Sequence, residues 1–236
     1  MPRRIDHLVV TVRDLDAAGD FYHRLGFMVG ARNRHPWGTE NRLVQFRSSF
    51  IELITVGADE GAIPPHAPGR FSFGAYVRDA LRQRQGLAML VLDSADAKAD
   101  AARFAKAGIG DFESFFFERK GRRPDGSETH VAFTLAFAVD AAAPDAGFFV
   151  CQQHYPENFW NPQFQAHPNG GRNIAGVTLA AAHPPAHEAF LAAFTGATLQ
   201  GDGVFPLDGG RIDVEPAEQG DGARFTAFAV AVPDID

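Results

Sequence analysis

The sequence predicts an α+β fold built from repeated β-α-β-β-β units. Two observations point to it. The stretch RIDHLVVTVRDLD at residues 4–16 aligns without a gap with RFTAFAVAVPDID at 224–236. Each is an alternating apolar run closed by Val-x-Asp-(Leu/Ile)-Asp. The first copy leads straight into helical spacing, and GLAMLVLDSADAKADAARFAKAGI at residues 86–109 repeats that passage from strand to helix. Self-similarity on this scale marks duplicated supersecondary units.

Residues 5–12 alternate as a strand, with Leu8, Val10 and Val12 on one face and Ile5, His7, Val9 and Thr11 on the other. Asp14 suits an N-cap, Leu15, Ala18, Tyr22 and Leu25 follow with helical spacing, and Gly26 is a natural stop. Strands expected at 27–34, 41–46 and 49–56 complete the first unit. In the second unit, aligning Gly108 on Gly26 places Asp96 on Asp14, Phe104 on Tyr22 and Met89 on His7, with strands near 112–119, 129–138 and 147–153. A third unit opens at NIAGVTLAA, continues through a helix carrying Phe190, Leu191 and Phe194, stops at Gly196 and runs into GRIDVEP. Gly176 falls near the His7 position there. RFTAFAVAVPDID then reads as the first strand of an incomplete fourth unit, with Ala227 at the His7 position. The expected domains are residues 1–155, pairing units 4–57 and 86–153, and residues 156–236, an irregular linker followed by the third unit and that last strand.

Two segments stand outside the repeat. Residues 57–86 connect the first two units, and AYVRDALRQRQG within them suits a short helix. Residues 153–172, QHYPENFWNPQFQAHPNGGR, are rich in Pro, Asn and His and predict irregular chain at a surface or rim.

A chain of 236 residues with 45% apolar and 22% charged side chains is long enough for a substantial core. Its net charge of -7 argues against a binder of nucleic-acid phosphates. The basic run ERKGRRPDG, residues 118–126, reads as a solvated hairpin tip because Pro124-Asp125-Gly126 is a turn sequence. A single cysteine, Cys151, excludes an intrachain disulfide and suits a core position. The N-terminal residues lack a signal-peptide core, and no run approaches the ~20 apolar residues needed to cross a bilayer. A cytoplasmic protein with no nucleic-acid or membrane partner is the expectation.

The unit that opens with DHLVVTVRDLDAAGDFYHRLGF and closes with FIELI resembles the vicinal oxygen chelate superfamily, which includes glyoxalase I, extradiol dioxygenases and bleomycin-resistance proteins. HPWGTENRLVQF followed by FIELITV is similar to its glyoxalase-like domain branch. The resemblance covers about residues 4–155 well and 173–236 less well. It implies paired units whose curled mixed sheets form a cup around a divalent metal ion (Zn, Fe, Mn, Ni or Co), with helices outside. It also implies metal ligands from the first and last strands of a unit, here His7 and Glu52, and assembly as a homodimer.

Strand parity agrees, since it puts His7 opposite the greasier face and Glu52 with Phe50 and Ile54 toward the cup. A carboxylate among Phe, Ile and Leu needs a partner such as a metal, a cation or a polar ligand. In the second unit Met89 replaces the histidine. The parity of GFFVCQQHY puts Phe149 and Cys151 on the helix side and Val150, Gln152 and His154 in the cup. A one-residue register shift would reverse this. His154 is the candidate third ligand, and Gln152 a weaker ligand or a substrate contact. Asn41, Trp160 and His167 are the further candidate substrate contacts, with an ordered loop and turn as the simpler account of each.

Two functions follow. In the first, a metal on His7 and Glu52 binds adjacent substrate oxygens as a Lewis acid, or Glu52 acts as general base in a glyoxalase-like isomerisation. Lyase or isomerase chemistry ranks above extradiol dioxygenase chemistry, which needs a clear third ligand. The second is a metal-free small-molecule binding protein of the bleomycin-resistance type, favoured by the incomplete ligand set and by 22 phenylalanines.

Overall fold

The computed structural model describes residues 2–122, 128–201, 203–217 and 222–233. The first unit comprises β1 (Ile5–Thr11), α1 (Leu15–Arg24), β2 (Asn33–Arg34), β3 (Thr39–Gln45) and β4 (Phe50–Val56). α2 (Phe73–Gln83) leads to the second unit: β5 (Gly86–Asp93), α3 (Ala97–Ala107), β6 (Phe115–Arg122), β7 (Glu128–Ala138) and β8 (Gly147–Gln153). A one-turn α4 (Pro156–Phe159) precedes β9 (Asn173–Ala181), α5 (Glu188–Thr195), β10 (Val204–Leu207), β11 (Gly210–Pro216) and β12 (Arg224–Ala231). Among the described residues, no helix is long and apolar enough to cross a membrane.

The N-caps form as the sequence predicts. Asp14 accepts from the backbone N–H groups of Asp16 and Ala17, and Asp96 from those of Lys98 and Ala99. Gly108 and Gly196 end α3 and α5 in the left-handed conformation that glycine tolerates. The strand expected over 27–34 shrinks to Asn33–Arg34, because the N–H of Met28 bonds the His167 ring and not a neighbouring strand. The expected turn at 124–126 lies outside the described residues. Its flank, however, is strand, and residues 118–122 belong to β6.

The first two units share one eight-stranded mixed sheet of order β2-β3-β4-β1-β5-β8-β7-β6. Within each unit the first strand runs parallel to the last, and the units join where β1 and β5 pair antiparallel. The sheet curls until its two edge strands meet. Nη1 of Arg119 on β6 donates to Oδ1 of Asn33 on β2 at 2.9 Å, and Phe117 on β6 packs against Trp37 with ring centroids 4.8 Å apart.

The third unit makes a four-stranded sheet, β10-β11-β9-β12. β9 runs parallel to β11 and antiparallel to β12, the relation β1 has to β4 and β5. The likeness of β1 and β12 extends to their irregularities. β1 shifts register between Ile5 and His7 and again between Val9 and Val10. β12 shifts between Phe225 and Ala227 and again between Ala229 and Val230. These are the same places in the aligned sequences, so the bulges belong to the repeated scaffold.

Two cores follow from the two faces of the large sheet. On the convex face Leu8, Val10, Ile51, Leu53, Leu90, Phe148 and Val150 pack with Leu15 and Tyr22 of α1, Phe104 of α3 and the apolar side of the third unit. Phe148 is the centre of that junction, with ring centroids 4.7 Å from Phe190, 5.4 Å from Phe194 and 5.4 Å from Phe225. The concave face holds Val9, Ile54, Met89, Val91, Phe133 and Phe149. One helix departs from the expected outer layer: α2 lies on this concave side, where Phe73 and Val77 close one end of the cup.

Candidate active site

The remainder of the cup is a cavity of about 500 Å³. Its walls are aromatic: Trp37, Phe50, Phe73, Phe117, Phe133, Phe149 and Phe159. Its polar floor is His7, His35, Asn41 and Glu52, and its mouth carries Asn33, Arg34, Arg119 and Lys120. A largely apolar cavity with a few convergent polar groups is the usual form of a small-molecule site.

β1 and β4 bring His7 and Glu52 together, because their parallel pairing sets His7 opposite Phe50 and Val9 opposite Glu52. Nε2 of His7 lies 3.9 Å from Oε2 of Glu52, and the residues are 4% and 6% exposed. The His7 ring stacks on Phe50 at 4.2 Å and meets the edge of Phe149 at 5.4 Å. Its other nitrogen, Nδ1, is 2.5 Å from Oδ1 of Asp6. A carboxylate accepts the Nδ1–H there, which leaves the Nε2 lone pair facing the cup.

Asp6 is a residue that alternation assigns to the opposite face. The register shift between Ile5 and His7 is a bulge, and a bulge re-aims a side chain. Asp6 is 1% exposed, and its second oxygen accepts from Nε2 of Gln153 at 2.7 Å. At the corresponding bulge of β12 stand Thr226 and Ala227, so the scaffold is repeated there without the acid–imidazole pair.

Glu52 is held from its other side. Oε1 accepts from Nδ2 of Asn41 at 2.5 Å, Oδ1 of Asn41 accepts from Nδ2 of Asn33 at 3.2 Å, and Asn33 accepts from Arg119. His35 adds a second imidazole that the sequence reading missed. Its Nε2 lies 3.9 Å from Oε1 of Glu52, its Nδ1 is 2.8 Å from Oγ1 of Thr39, and its ring stacks on Trp37 at 4.5 Å. Burial pulls its pKa below the ordinary imidazole value despite the opposing pull of Glu52, which favours the neutral ring. In the sequence HPWG stands only as part of the stretch similar to the glyoxalase-like branch. The signal that marks His35 is its place opposite β3 at the end of the shortest strand.

The second unit corrects the sequence parity. Phe149 and Cys151 line the cup, and Val150 joins the convex core. Phe148 and Phe149 are both apolar, and the third unit covers the convex side, so both faces of β8 are greasy. Gln152 consequently lies away from the cup, where its Oε1 caps the N–H of Ala97 and its Nε2 bonds the carbonyl of Ala95. His154 is exposed, bonded to Oγ1 of Thr134 at 2.7 Å and packed against Phe116. Cys151 is a buried thiol whose pKa is pushed up, first by burial and then by Asp6 and Glu52, so it stays protonated.

Of the irregular segment, Phe159 reaches the cup wall while Trp160 and His167 do not line the cavity. Trp160 packs behind Phe159 and Phe50. His167 is a strut: Nδ1 accepts from the N–H of Met28, and Nε2 donates to the carbonyl of Gln45. The Gln45 side chain in turn bonds the carbonyl of Phe159 and the N–H of Asn161, fixing the wall.

The donor set does not fit the divalent metal that the resemblance implies: His7 faces Oε2 of Glu52, whereas His35, the second imidazole, faces Oε1, the oxygen that Asn41 engages. Among the described residues, no three His, Cys, Asp or Glu side chains are placed to hold one ion. His154 lies outside the cup, Met89 offers a thioether ill suited to a hard ion, and Oε1 of Glu52 is engaged by Asn41.

A family model described as a glyoxalase-like domain matches residues 5–195. No curated protein matches the chain significantly in sequence. Among solved structures, the chain resembles a hypothetical protein from Staphylococcus aureus, with a TM-score of 0.70 and 14% identity over 93% of this chain and 87% of that one. It also resembles a mutant 4-hydroxymandelate synthase from Streptomyces coelicolor, with a TM-score of 0.53 and 13% identity over 91% of this chain and 63% of that one. At these identities the likeness shows the fold alone.

Proposed function

Because the chain belongs to the glyoxalase-like domain family, we propose that it is a small-molecule isomerase that moves protons within an α-hydroxycarbonyl substrate by acid–base chemistry of its own side chains. The observation that carries this reading is the buried line Asp6–His7–Glu52, with contacts of 2.5 and 3.9 Å, on the floor of an aromatic cup. Asp6 orients the imidazole and stabilises the imidazolium it becomes, and Nε2 of His7 takes the proton from the carbon beside the carbonyl. The C–H electron pair forms the C=C bond of an enediol as the carbonyl oxygen gains charge. Oε2 of Glu52 carries the hydroxyl proton from one substrate oxygen to the other. The imidazolium returns its proton to the neighbouring carbon on the same face, so atoms and electrons balance without a redox partner.

The test is solvent exchange. Aromatic α-hydroxyketones incubated with the protein in D₂O should take up deuterium at the α-carbon, and His7→Asn or Glu52→Gln should slow this by about 10²-fold or more, the usual loss when a general base is removed. A second reading, a binding protein without catalysis, is favoured by the aromatic walls. It would be indicated by probes that bind and show no exchange above the buffer rate.

A further inference from the structure

We propose that Arg119 is the receptor for a carboxylate on the cup's ligand, which makes that ligand an organic acid with an apolar body. This rests on the reading of the cup as a small-molecule site, and it is independent of the chemistry assigned to His7.

β6 alternates, and Phe115, Phe117 and Arg119 share its cup-facing side. The two rings pack against Trp37 at 5.2 and 4.8 Å, which fixes the face, and Arg119 stands one step further toward the mouth. Apart from exposed Lys120, which adds a second positive charge beside Arg119, the other charged groups of the mouth are paired. Arg34 pairs with Glu40 at 3.0 Å, and Glu118 pairs with His130 at 2.8 Å. Arg119 has no such partner among the described residues, where its hydrogen bond goes to the neutral amide of Asn33 at 2.9 Å. A protein of net charge -7 thus keeps an uncompensated guanidinium at the opening of its main cavity.

Arg119 itself is exposed, so its guanidinium is open to a ligand arriving from solution. Surrounding protein partly desolvates the guanidinium and lowers its pKa, with no carboxylate acting in the other direction. A guanidinium has five N–H donors in a planar fork, and Asn33 uses one. The remaining edge matches a carboxylate, which accepts two parallel N–H bonds. A carboxylate seated there would place its apolar body against Phe117 and Trp37 and direct the other end of the molecule toward the polar floor. The relay from Arg119 through Asn33 and Asn41 to Glu52 already spans that distance.

The test compares two non-reacting probes of one shape by calorimetric titration of the intact protein: 3-phenylpropionate and the neutral 3-phenylpropionamide. The acid should bind about ten-fold tighter than the amide or better, as a charge-assisted bond requires. Added salt should narrow the gap. Arg119→Gln should bring the ratio to about one while amide affinity holds. Arg119→Lys, which keeps the charge and loses the fork, should weaken the acid a few-fold, and it carries the test should the Gln variant not fold. His7→Asn should leave the acid-to-amide ratio unchanged, so that loss of proton exchange and loss of acid selectivity are read separately. A wild-type ratio near one, a ratio that survives in Arg119→Gln, an Arg119→Lys protein indistinguishable from wild type, or failure of both probes to bind would each overturn the proposal.

Discussion

Asp6 and His7 are consecutive residues of one strand, yet their side chains meet, Oδ1 to Nδ1 at 2.5 Å. A regular strand sends successive side chains to opposite faces, so the bulge at this point creates the pair. The same bulge at Phe225–Ala227 shows that the distortion is native to the scaffold. Under the acid–base account, Asp6→Asn keeps the side-chain shape and removes the charge that stabilises the imidazolium. Proton exchange should fall by about 10²-fold or more while probe binding changes little. Parallel exchange and titration measurements check this, and retained exchange would remove Asp6 from the mechanism.

Asn41 is the donor that holds Glu52. Asn41→Ala leaves Oε1 buried with no N–H partner from that side chain. The expected cost is about 1–3 kcal/mol, the penalty for stranding a buried polar atom. Urea unfolding of the variant measures it. Asn41→Ala combined with Glu52→Gln should cost less than the sum of the single changes, since the two residues share one contact.

Acid should destabilise the protein through His35 and His167. Burial lowers both pKa values below the ordinary 6.5, in His35 against the pull of Glu52 and in His167 against its bond to Gln45. The unfolded chain therefore binds protons that the folded chain refuses. The contribution is complete above pH ~6.5 and is lost as pH falls through the lowered folded values. Protonated His167 would also present an N–H to the N–H of Met28. Thermal melts should fall between pH 7 and pH 5, and His167→Gln should flatten part of that slope. An unchanged slope would contradict the assignment.

The third unit should be integral to stability. Phe148 of β8 is buried among Phe190, Phe194 and Phe225. Phe148→Ala should cost about 3–5 kcal/mol, as large-to-small changes in cores do. Chemical denaturation with one cooperative transition for wild type, shifted to lower denaturant in the variant, would fit.

The repeat, the caps and the orientation of His7 were legible in the sequence because each rests on local periodicity; Glu52 came from the family resemblance, and Asn41 was a candidate contact for which a turn was the simpler account. Asp6 was not, since alternation assigns it to the wrong face and a bulge has no letter of its own. β8 was misread because Phe148 and Phe149 are equally apolar; the partner that decides between them is the third unit, far along the chain. Arg119 was hidden in a basic run that looked like a solvated turn, and only the curl of the sheet brings it to Asn33 on the opposite edge. The expected metal ligand His154 failed with the same register, because the parity that put it in the cup was inverted.

The most direct test of the central claim is α-proton exchange in D₂O by NMR on an aromatic α-hydroxyketone that titration has shown to bind. Wild type should exchange the proton well above the buffer rate, and His7→Asn should reduce that rate by about 10²-fold or more without abolishing binding. Exchange that persists unchanged in His7→Asn, or a bound ketone whose proton never exchanges in wild type, would contradict the account.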